Sequence, residues 1–438
     1  MKVQEVCDEA GMRLNHALAG AVLGGLAGCA SLPQSDPDLA CNIPAPSEAQ
    51  AMALIESEST ALTGMTFVPG NAVHLLENGP KTYSAMQAAM RGATRRIDME
   101  SYEFDGNIAE QFADLLIAAH ARGVQVDLIY DDYGTNAPAA LFQRLRAGGV
   151  NVVTYNPLDP AEMKTLDINK RDHRKLLVID NHEVFTGGVN IAQVYENHHP
   201  SGQVSQNPKQ LPWRDTDVEI TGPVAGSFEN LFLQTWTEQK GGALPPAPLP
   251  MTATVGDSSV QALDGSPRDG HPAIYKTLLV AIAAARHSVH LTTGFFGPPP
   301  DLLEALQCAA RRGVGVRIIV PSISNSDSSI AAGRSNYTQL LNAGVHIYER
   351  QGAVLHAKTA VIDGMWSVVG SANLDWRSVV FNNEIDAVVL GAGFGREMEA
   401  QFTQDIAASV QITPEMWKDR GIGERLDEFR ARMVESFL

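Results

Sequence analysis

Residues 173–190 read HRKLLVIDNHEVFTGGVN, and residues 356–373 read HAKTAVIDGMWSVVGSAN. Counted from the histidine, both segments carry Lys at +2, Asp at +7, Gly at +14 and Asn at +17. Five identities at fixed spacing arise by chance at about one in three million starting positions, so two copies indicate a duplicated functional unit. The shared residues are His173, Lys175, Asp180, Gly187 and Asn190 in the first copy and His356, Lys358, Asp363, Gly370 and Asn373 in the second.

The spacing of these residues has a chemical interpretation. Each lysine is followed by a strand-like apolar run, so the His and Lys two residues apart point to one side of a strand. The glycines at 187–188 and 370 let the backbone approach the same pocket and present an asparagine amide. An imidazole, a cation and an amide donor suit an anion that is attacked, and phosphate is the natural anion.

We therefore predict two overlapping sets of site residues. The predicted catalytic group is His173, Lys175, Asp180, His356, Lys358 and Asp363. The predicted phosphate-binding group is Lys175, Lys358, Asn190 and Asn373. The alternative for Asp180 and Asp363 is that they cap the turns that follow their strands.

Each copy is followed by a later acid. Asp215 lies in WRDTDVEITG (213–222), and Glu384 lies in FNNEIDAVVL (381–390). A carboxylate can hold the Nδ1–H of a histidine and leave Nε2 free, so we predict that Asp215 and Glu384 orient the histidines. The alternative for each is an ordinary acid at a strand end.

Similarity between the two parts of the chain extends beyond these motifs. RRIDMESYEF (95–104) resembles HSVHLTTGFF (287–296), and ARGVQVDLIYD (121–131) resembles RRGVGVRIIVP (311–321). Strands alternating with helices predict an α/β fold of two pseudo-symmetric α/β/α layered halves with mixed, mostly parallel sheets. We place the halves at residues 65–240 and 255–438, with a Pro/Gly-rich connector at 241–254.

The N-terminal region has the pattern of a targeting segment. The apolar stretch at 17–28 has twelve residues, which is too short to span a bilayer but typical of a signal-peptide core. It ends at Cys29 in a sequence that resembles the lipobox of bacterial lipoproteins. We predict a signal peptide over 1–28, with translation starting at Met12 as an alternative, a lipidated Cys29, and an N-terminal extension over 29–64.

Composition excludes some function classes. The 438 residues are 44% hydrophobic, as in globular proteins, and 33 Lys and Arg against 50 Asp and Glu give a net charge of −17. This balance argues against a nucleic-acid partner, because phosphate backbones are held by clustered basic residues. The four cysteines show no Cys-x-x-Cys spacing, so neither a zinc site nor a disulfide scaffold is indicated.

The paired HxKxxxxD motifs with their GGxN and GSxN turns resemble the phospholipase D superfamily. Within it, WRDTDVEITGP and LHAKTAVIDGMWSVVGSANLDWRS are most similar to bacterial cardiolipin synthases, and the resemblance covers the chain from about residue 70 onward. It implies a phosphatidyl transferase that makes cardiolipin from phosphatidylglycerol, with phosphatidylethanolamine as an alternative second phospholipid. It also implies a phosphohistidine on His173, acid/base work by His356, and no metal or other cofactor.

Two other activities stay open at this point. A phospholipase D would use the same residues with water as acceptor and release phosphatidic acid. A nuclease also occurs in the superfamily, but the net charge and the leader argue against it. The resemblance implies work at a membrane surface. The leader predicts a location in the bacterial cell envelope, with the chain anchored to the membrane by lipidated Cys29 and facing the periplasm or exterior. The alternative is association with the inner membrane. The oligomeric state is not predicted.

Overall fold

The computed structural model describes residues 47–159, 169–196, 211–249, 252–266 and 272–432. The predicted signal peptide, the alternative start at Met12 and the lipidated Cys29 lie outside these residues. No helix in the described ranges is both long enough and apolar enough to cross a membrane. We use "first half" for residues 65–240 and "second half" for residues 255–438.

The first half follows helix α1 (Glu48–Thr63) and alternates strands with helices. Its elements are β1 (Val68–Glu77), α2 (Asn78–Gly92), β2 (Arg96–Ser101), α3 (Gly106–Ala121), β3 (Gln125–Asp131), α4 (Ala139–Ala147), β4 (Asn151–Tyr155), β5 (Lys175–Ile179), β6 (Glu183–Gly187), β7 (Trp213–Arg214), β8 (Thr216–Thr221) and α5 (Ala225–Glu238). A short 3-10 helix, Gln193–Tyr195, follows β6.

The second half repeats this order with additional short strands and helices. Its elements are β9 (Ser258–Asp264), α6 (Ala273–Ala284), β10 (Ser288–Thr292), β11 (Phe296–Gly297), α7 (Pro300–Arg311), β12 (Gly315–Pro321), α8 (Asp327–Ser335), α9 (Tyr337–Asn342), β13 (His346–Arg350), β14 (Val354–Leu355), β15 (Thr359–Ile362), β16 (Trp366–Gly370), β17 (Leu374–Asp375), α10 (Trp376–Val380), β18 (Ile385–Leu390), α11 (Ala392–Ala407), β19 (Ser409–Ile412), α12 (Pro414–Lys418) and α13 (Ile422–Arg432).

One 15-stranded sheet runs through both halves. Outward from β1 its strands follow the order β8, β6, β5, β2, β3, β4, and outward from β9 they follow the equivalent order β18, β16, β15, β10, β12, β13, with β19 at the edge. The two series meet where β1 pairs with β9. The sequence repeat is therefore a repeat of topology, and the mixed α/β class is confirmed.

The expectation of mostly parallel strands is wrong. Within the described part of the main sheet, only β2–β3, β3–β4, β10–β12 and β12–β13 pair in parallel. The pairs formed by β5 and β6, and by β15 and β16, are antiparallel. The reason is the connection of three residues between β5 and β6, because a parallel crossover needs a dozen residues or more.

The apolar side chains of the strands fill both faces of the sheet. In β5, Leu177 belongs to the same core cluster as Phe112 of α3. Its neighbours Leu176 and Val178 belong to the cluster on the opposite face of the sheet. The core on that opposite face joins the halves. It contains side chains from first-half strands, from second-half strands (Val361 and Val389, for example) and from helices α5 and α11. The motif strands are thus held on both sides.

Cysteine pairing corrects one expectation from the sequence. Cys308 is a core residue of α7, as its apolar neighbours suggested, with 2% of its surface exposed. It is also disulfide-bonded, which the cysteine spacing did not predict. The other three cysteines lie outside the described residues.

Asp180 and Asp363 occupy the turns after β5 and β15. Both adopt positive φ, 53° and 52°. The carboxylate of Asp180 accepts backbone N–H groups of residues 94–96 at 2.7–2.9 Å, and that of Asp363 accepts those of residues 286–288 at 2.7–2.9 Å. The first turn lies roughly 16 Å along the strand from Lys175. This placement favours the turn-cap alternative for both aspartates, and their catalytic assignment stays a prediction.

We expect Asp180→Ala to lower the free energy of unfolding by about 1–3 kcal/mol, because it removes the acceptor of three backbone donors. Partial burial raises the pKa of Asp180, but the hydrogen bonds outweigh it and lower the pKa below its ordinary value. The stabilisation is therefore present above the unfolded-state pKa of about 3.9 and is lost as the pH falls through the folded-state pKa.

Urea unfolding followed by circular dichroism at pH 7 and at pH 3 measures this effect. Glu58→Ala, on the exposed face of α1, is the control and should stay within about 0.5 kcal/mol of the parent. An unfolding midpoint of Asp180→Ala equal to that of the parent at pH 7 would contradict the turn-cap role.

Candidate active site

The backbone before each histidine is held by the other half. β14 pairs in parallel with β7, and the His356 N–H donates to the Arg214 carbonyl at 2.8 Å. In the equivalent place, the His173 N–H donates to the Asn383 carbonyl at 2.9 Å. Arg214 and Asn383 come directly before Asp215 and Glu384. Each histidine is therefore set beside the acid of the opposite half.

Both acids contact the histidine that faces them. His173 Nδ1 lies 2.9 Å from Oε2 of Glu384, and His356 Nδ1 lies 2.7 Å from Oδ2 of Asp215. An Nδ1–H that donates to a carboxylate fixes the tautomer in which Nε2 carries a free lone pair. The structure brings the two predicted acids to the two predicted histidines, in a crossed arrangement that the sequence did not indicate.

Burial decides the charge state of the imidazoles. It lowers the pKa of His173 to about 4 and that of His356 to about 3, against the opposing effect of the neighbouring carboxylates. Burial also raises the pKa of Asp215 and Glu384, but their histidine partners and the nearby lysines more than offset it, so both pKa values lie below the ordinary range. At neutral pH the site holds two neutral imidazoles and two carboxylates.

The two lysines are buried beside the histidines. Lys175 Nζ donates to the carbonyl of His173 at 2.5 Å, and Lys358 Nζ makes the same bond to the carbonyl of His356. Burial lowers the pKa of Lys175 to about 8, opposed by Glu384, and that of Lys358 to about 7, opposed by Asp215. Below those pKa values the site carries two positive charges where little water screens them.

The two asparagines are less alike than their motifs. Asn190 is engaged on both sides, since its Oδ1 accepts the Glu103 N–H at 3.3 Å and its Nδ2 donates to the Tyr195 hydroxyl at 2.9 Å. In Asn373 the backbone N–H donates to Ser378 Oγ at 3.0 Å, while the buried Oδ1 has no hydrogen-bond partner among the described residues. Because the Asn190 amide nitrogen carries two N–H groups and donates one of them to Tyr195, a phosphate oxygen could be bound by the second.

The residue at +15 of each motif contacts the acid that orients a histidine, and its size differs with the length of that acid. A Cβ at Gly188 would lie 2.1 Å from Asp215 Oδ1, so a side chain has no room there. The equivalent Ser371 instead donates its hydroxyl to Glu384 at 2.5 Å. Glycine with the shorter acid, and serine with the longer one, give the two histidines equivalent partners.

Several aromatic residues that the sequence analysis missed surround the histidines. The ring centroid of Tyr102 lies 5.0 Å from that of His173, and Lys175 Nζ lies 5.0 Å above the same tyrosine ring. The Tyr195 hydroxyl lies 3.2 Å from His356 Nδ1, and the Trp213 ring centroid lies 5.1 Å from that of His356. Tyr102 follows β2, and the carboxyl ends of parallel strands are a frequent place for ligand contacts, so that position could have been found.

Glu103 is a further missed residue near the charges of the site. Burial raises its pKa to about 7, and Lys175 and Lys358 oppose the rise.

Within the described residues, no group of three or more His, Cys, Asp or Glu side chains is arranged to hold a metal ion. Positive charge near the imidazoles comes from the two lysines.

Comparison with known proteins agrees with this geometry. The family described as cardiolipin synthase, phospholipase D-like domain, matches residues 86–199 and 278–406. Cardiolipin synthase A of Yersinia pseudotuberculosis serotype O:3 is 34% identical over 378 residues, which cover 83% of this chain and 75% of the relative. Cardiolipin synthase A of Yersinia pestis is 34% identical over the same shares.

Solved structures share the fold at lower identity. Phosphatidylserine synthase of Haemophilus influenzae is 13% identical with a TM-score of 0.64, over 88% of this chain and 100% of that one. Polyphosphate kinase of Porphyromonas gingivalis is 15% identical with a TM-score of 0.53, over 83% and 53%. Taken with the two motifs and their crossed acids, the family match and the synthase relatives show that this chain belongs to the phospholipase D-like cardiolipin synthase family of phosphatidyl transferases.

Proposed function

We propose that the chain makes cardiolipin from phosphatidylglycerol through a covalent phosphohistidine. The observation that carries the proposal is the pair of buried histidines, each oriented at Nδ1 by an acid of the other half and flanked by a buried lysine. Family membership implies phospholipid substrates and association with a bacterial membrane. The choice of phosphatidylglycerol, with phosphatidylethanolamine as an alternative donor, comes from the resemblance to cardiolipin synthases.

In the first step, Nε2 of His173 attacks the phosphorus of phosphatidylglycerol. A P–N bond forms, the P–O bond to the glycerol headgroup breaks, and the glycerol oxygen takes a proton from Nε2 of His356. Glu384 keeps the His173 tautomer that attacks, and Lys175 and Lys358 bind the non-bridging oxygens. His356 is neutral before substrate binds. The phosphodiester anion raises the pKa of His356 when it binds, so Nε2 takes a proton from water and passes that proton to the departing glycerol oxygen.

In the second step, His356 is neutral again and removes a proton from the hydroxyl of a second phosphatidylglycerol. That oxygen attacks phosphorus, the P–N bond breaks, and cardiolipin and free His173 result. Water in place of the second lipid would give phosphatidic acid with the same residues. Asp180 and Asp363 have no part in either step.

We also propose the finer points of location from the leader sequence alone. A lipid on Cys29 would anchor the chain in the cell envelope, facing the periplasm or exterior. This places the site at the surface that carries its substrates.

We expect lipid mass spectrometry of the purified chain with phosphatidylglycerol micelles to show cardiolipin and glycerol in equal amounts. His173→Ala and His356→Ala should each lower turnover by at least about a thousandfold with unchanged circular dichroism, because each removes a group that makes or breaks a bond. Phosphatidic acid as the sole product would make the chain a phospholipase, and plasmid cleavage without lipid turnover would make it a nuclease.

A substrate with a p-nitrophenol leaving group separates the two histidines, because such a group departs without a proton. His356→Ala should release one equivalent of p-nitrophenol and hold labelled lipid on His173, whereas His173→Ala should release none. The reverse pattern would assign the nucleophile to His356.

We expect kcat/KM to fall as the pH rises through about 7 to 8, because the ammonium forms of Lys358 and Lys175 exist below those pKa values and are lost above them. Lys358→Arg should lower the rate but move this alkaline limb to higher pH, since arginine stays charged. Lys81→Arg, at an exposed lysine, is the control. An alkaline limb unchanged in Lys358→Arg would show that Lys358 does not set it.

We expect Cys29→Ala to move the chain from the membrane fraction to the soluble fraction of a bacterial expression host, because the acyl anchor is lost. Immunoblotting of both fractions measures it, with Glu58→Ala, on the exposed face of α1, as the control. Membrane association equal to that of the parent would contradict the anchor.

A further inference from the structure

The second half contains an apolar cavity that the proposed chemistry does not use. It lies between strands β10, β15 and β16 on one side and helices α6 and α10 on the other, and its walls include Leu278, Leu291 and Val368. Two residues of the candidate active site, Lys358 and Asn373, also line it. The cavity is therefore continuous with the place where the phosphate is expected.

The cavity extends well away from that polar end. Trp366, at the start of β16, lines it as well, and β16 runs four residues from Trp366 to Gly370 beside the motif turn. At 3.3 Å per residue this separation is roughly 13 Å. The unpartnered, buried Oδ1 of Asn373 stands at the end nearer the histidines. The space has one polar end and a long apolar body.

The first half shows why this space exists. Four positions, at +4, +12, +16 and +22 from the histidine of each motif, differ in side-chain size between the halves. The first-half side chains are the larger and are at most 2% exposed. The second-half side chains are the smaller and line the cavity. The pairs are Leu177 and Ala360, Phe185 and Val368, Val189 and Ala372, and Tyr195 and Ser378. Four reductions in size at equivalent positions of one fold leave room that the other copy fills.

The helices that pack over these positions, α2 in the first half and α6 in the second, also differ in a way that leaves more room in the second half. In the first half the Tyr83 hydroxyl donates to the carbonyl of Asn190 at 2.5 Å. In the second half the equivalent Tyr275 lines the cavity and directs its hydroxyl to Asp301 instead. Protein interiors are close-packed, so a void produced by several independent differences is better explained by a ligand than by a packing fault.

We propose that this cavity binds one acyl chain of the donor phospholipid while its phosphate lies between the histidines, a proposal that rests on the proposed function. An anionic group at one end and a hydrocarbon at the other match a space with Lys358 at one end and aliphatic walls beyond it. Each buried methylene raises affinity about fourfold. The second half then holds the donor, and the acceptor enters from another side.

The test transfers first-half residues to the cavity as Ala360→Leu with Val368→Phe. The double variant should lower kcat/KM for dioleoyl phosphatidylglycerol at least tenfold and that for dihexanoyl phosphatidylglycerol less than threefold. Its urea midpoint should match or exceed that of the parent, because the side chains fill a void. Ala310→Leu, the same change outside the cavity walls, should alter neither rate. A double variant that keeps the parent ratio of long-chain to short-chain rates would overturn the proposal.

Photolabelling separates this proposal from the proposed function, because it needs no turnover. Phosphatidylglycerol with a photoreactive group at the end of one chain should label the peptide that contains Leu278 or Trp366 in the parent and not in the double variant. Excess unlabelled dioleoyl phosphatidylglycerol should compete, and dihexanoyl phosphatidylglycerol at the same concentration should compete much less, because its short chains bury few methylenes. Label elsewhere only, or equal competition by the dioleoyl and dihexanoyl lipids, would overturn the acyl-chain proposal even in a chain that makes cardiolipin. Correct labelling in a chain without lipid turnover would leave it standing while the proposed function fails.

Discussion

The crossed pairing of each histidine with a carboxylate from the other half is the constraint on which the rest of the structure depends. Asp215 and Glu384 are wholly buried anions, and a buried charge without its partner is strongly destabilising. Neither half alone supplies a partner histidine to its own acid. The joined sheet, the core cluster shared by both halves and the parallel pairing of β14 with β7 all serve to bring these groups together. Arg174 adds to the same junction, because this fully buried side chain donates to the Glu384 carbonyl and pairs with Asp264.

Departures from symmetry divide the work within this frame. Gly188 and Ser371 adjust the turn to acids of different length, so the histidines stay equivalent where equivalence is needed. Asn190 is engaged by Tyr195, whereas the Oδ1 of Asn373 is left without a partner among the described residues. In the proposed mechanism one lipid reacts at its phosphorus and the other at a hydroxyl, and these differences give the two roles unequal surroundings.

The sequence predicts local features here better than long-range ones. The strand, turn and asparagine order of each motif follows from periodicity, and even the placement of Asp180 could have been foreseen, since an odd offset of seven puts it on the strand face opposite His173 and Lys175. The crossed acids could not, because spacing within a half carries no information about which half closes on which histidine. Rings such as Trp213 reach His356 only through that same closure. The excess of antiparallel pairs was readable from the short β5 to β6 connection, yet strand and helix alternation favoured the wrong choice.

Charge balance links this architecture to the order of the proposed chemistry. While both lysines are protonated, their charges and those of the two carboxylates paired with the histidines sum to zero. The burial that keeps both imidazoles neutral also makes any added charge costly. A phosphodiester adds one negative charge, and one proton on a histidine restores the balance. In the proposed mechanism the nucleophile is thus ready before the substrate arrives, whereas the acid forms only when the substrate binds. The leaving group can be protonated only when a phosphate is in place, which is the order that a phosphohistidine pathway requires.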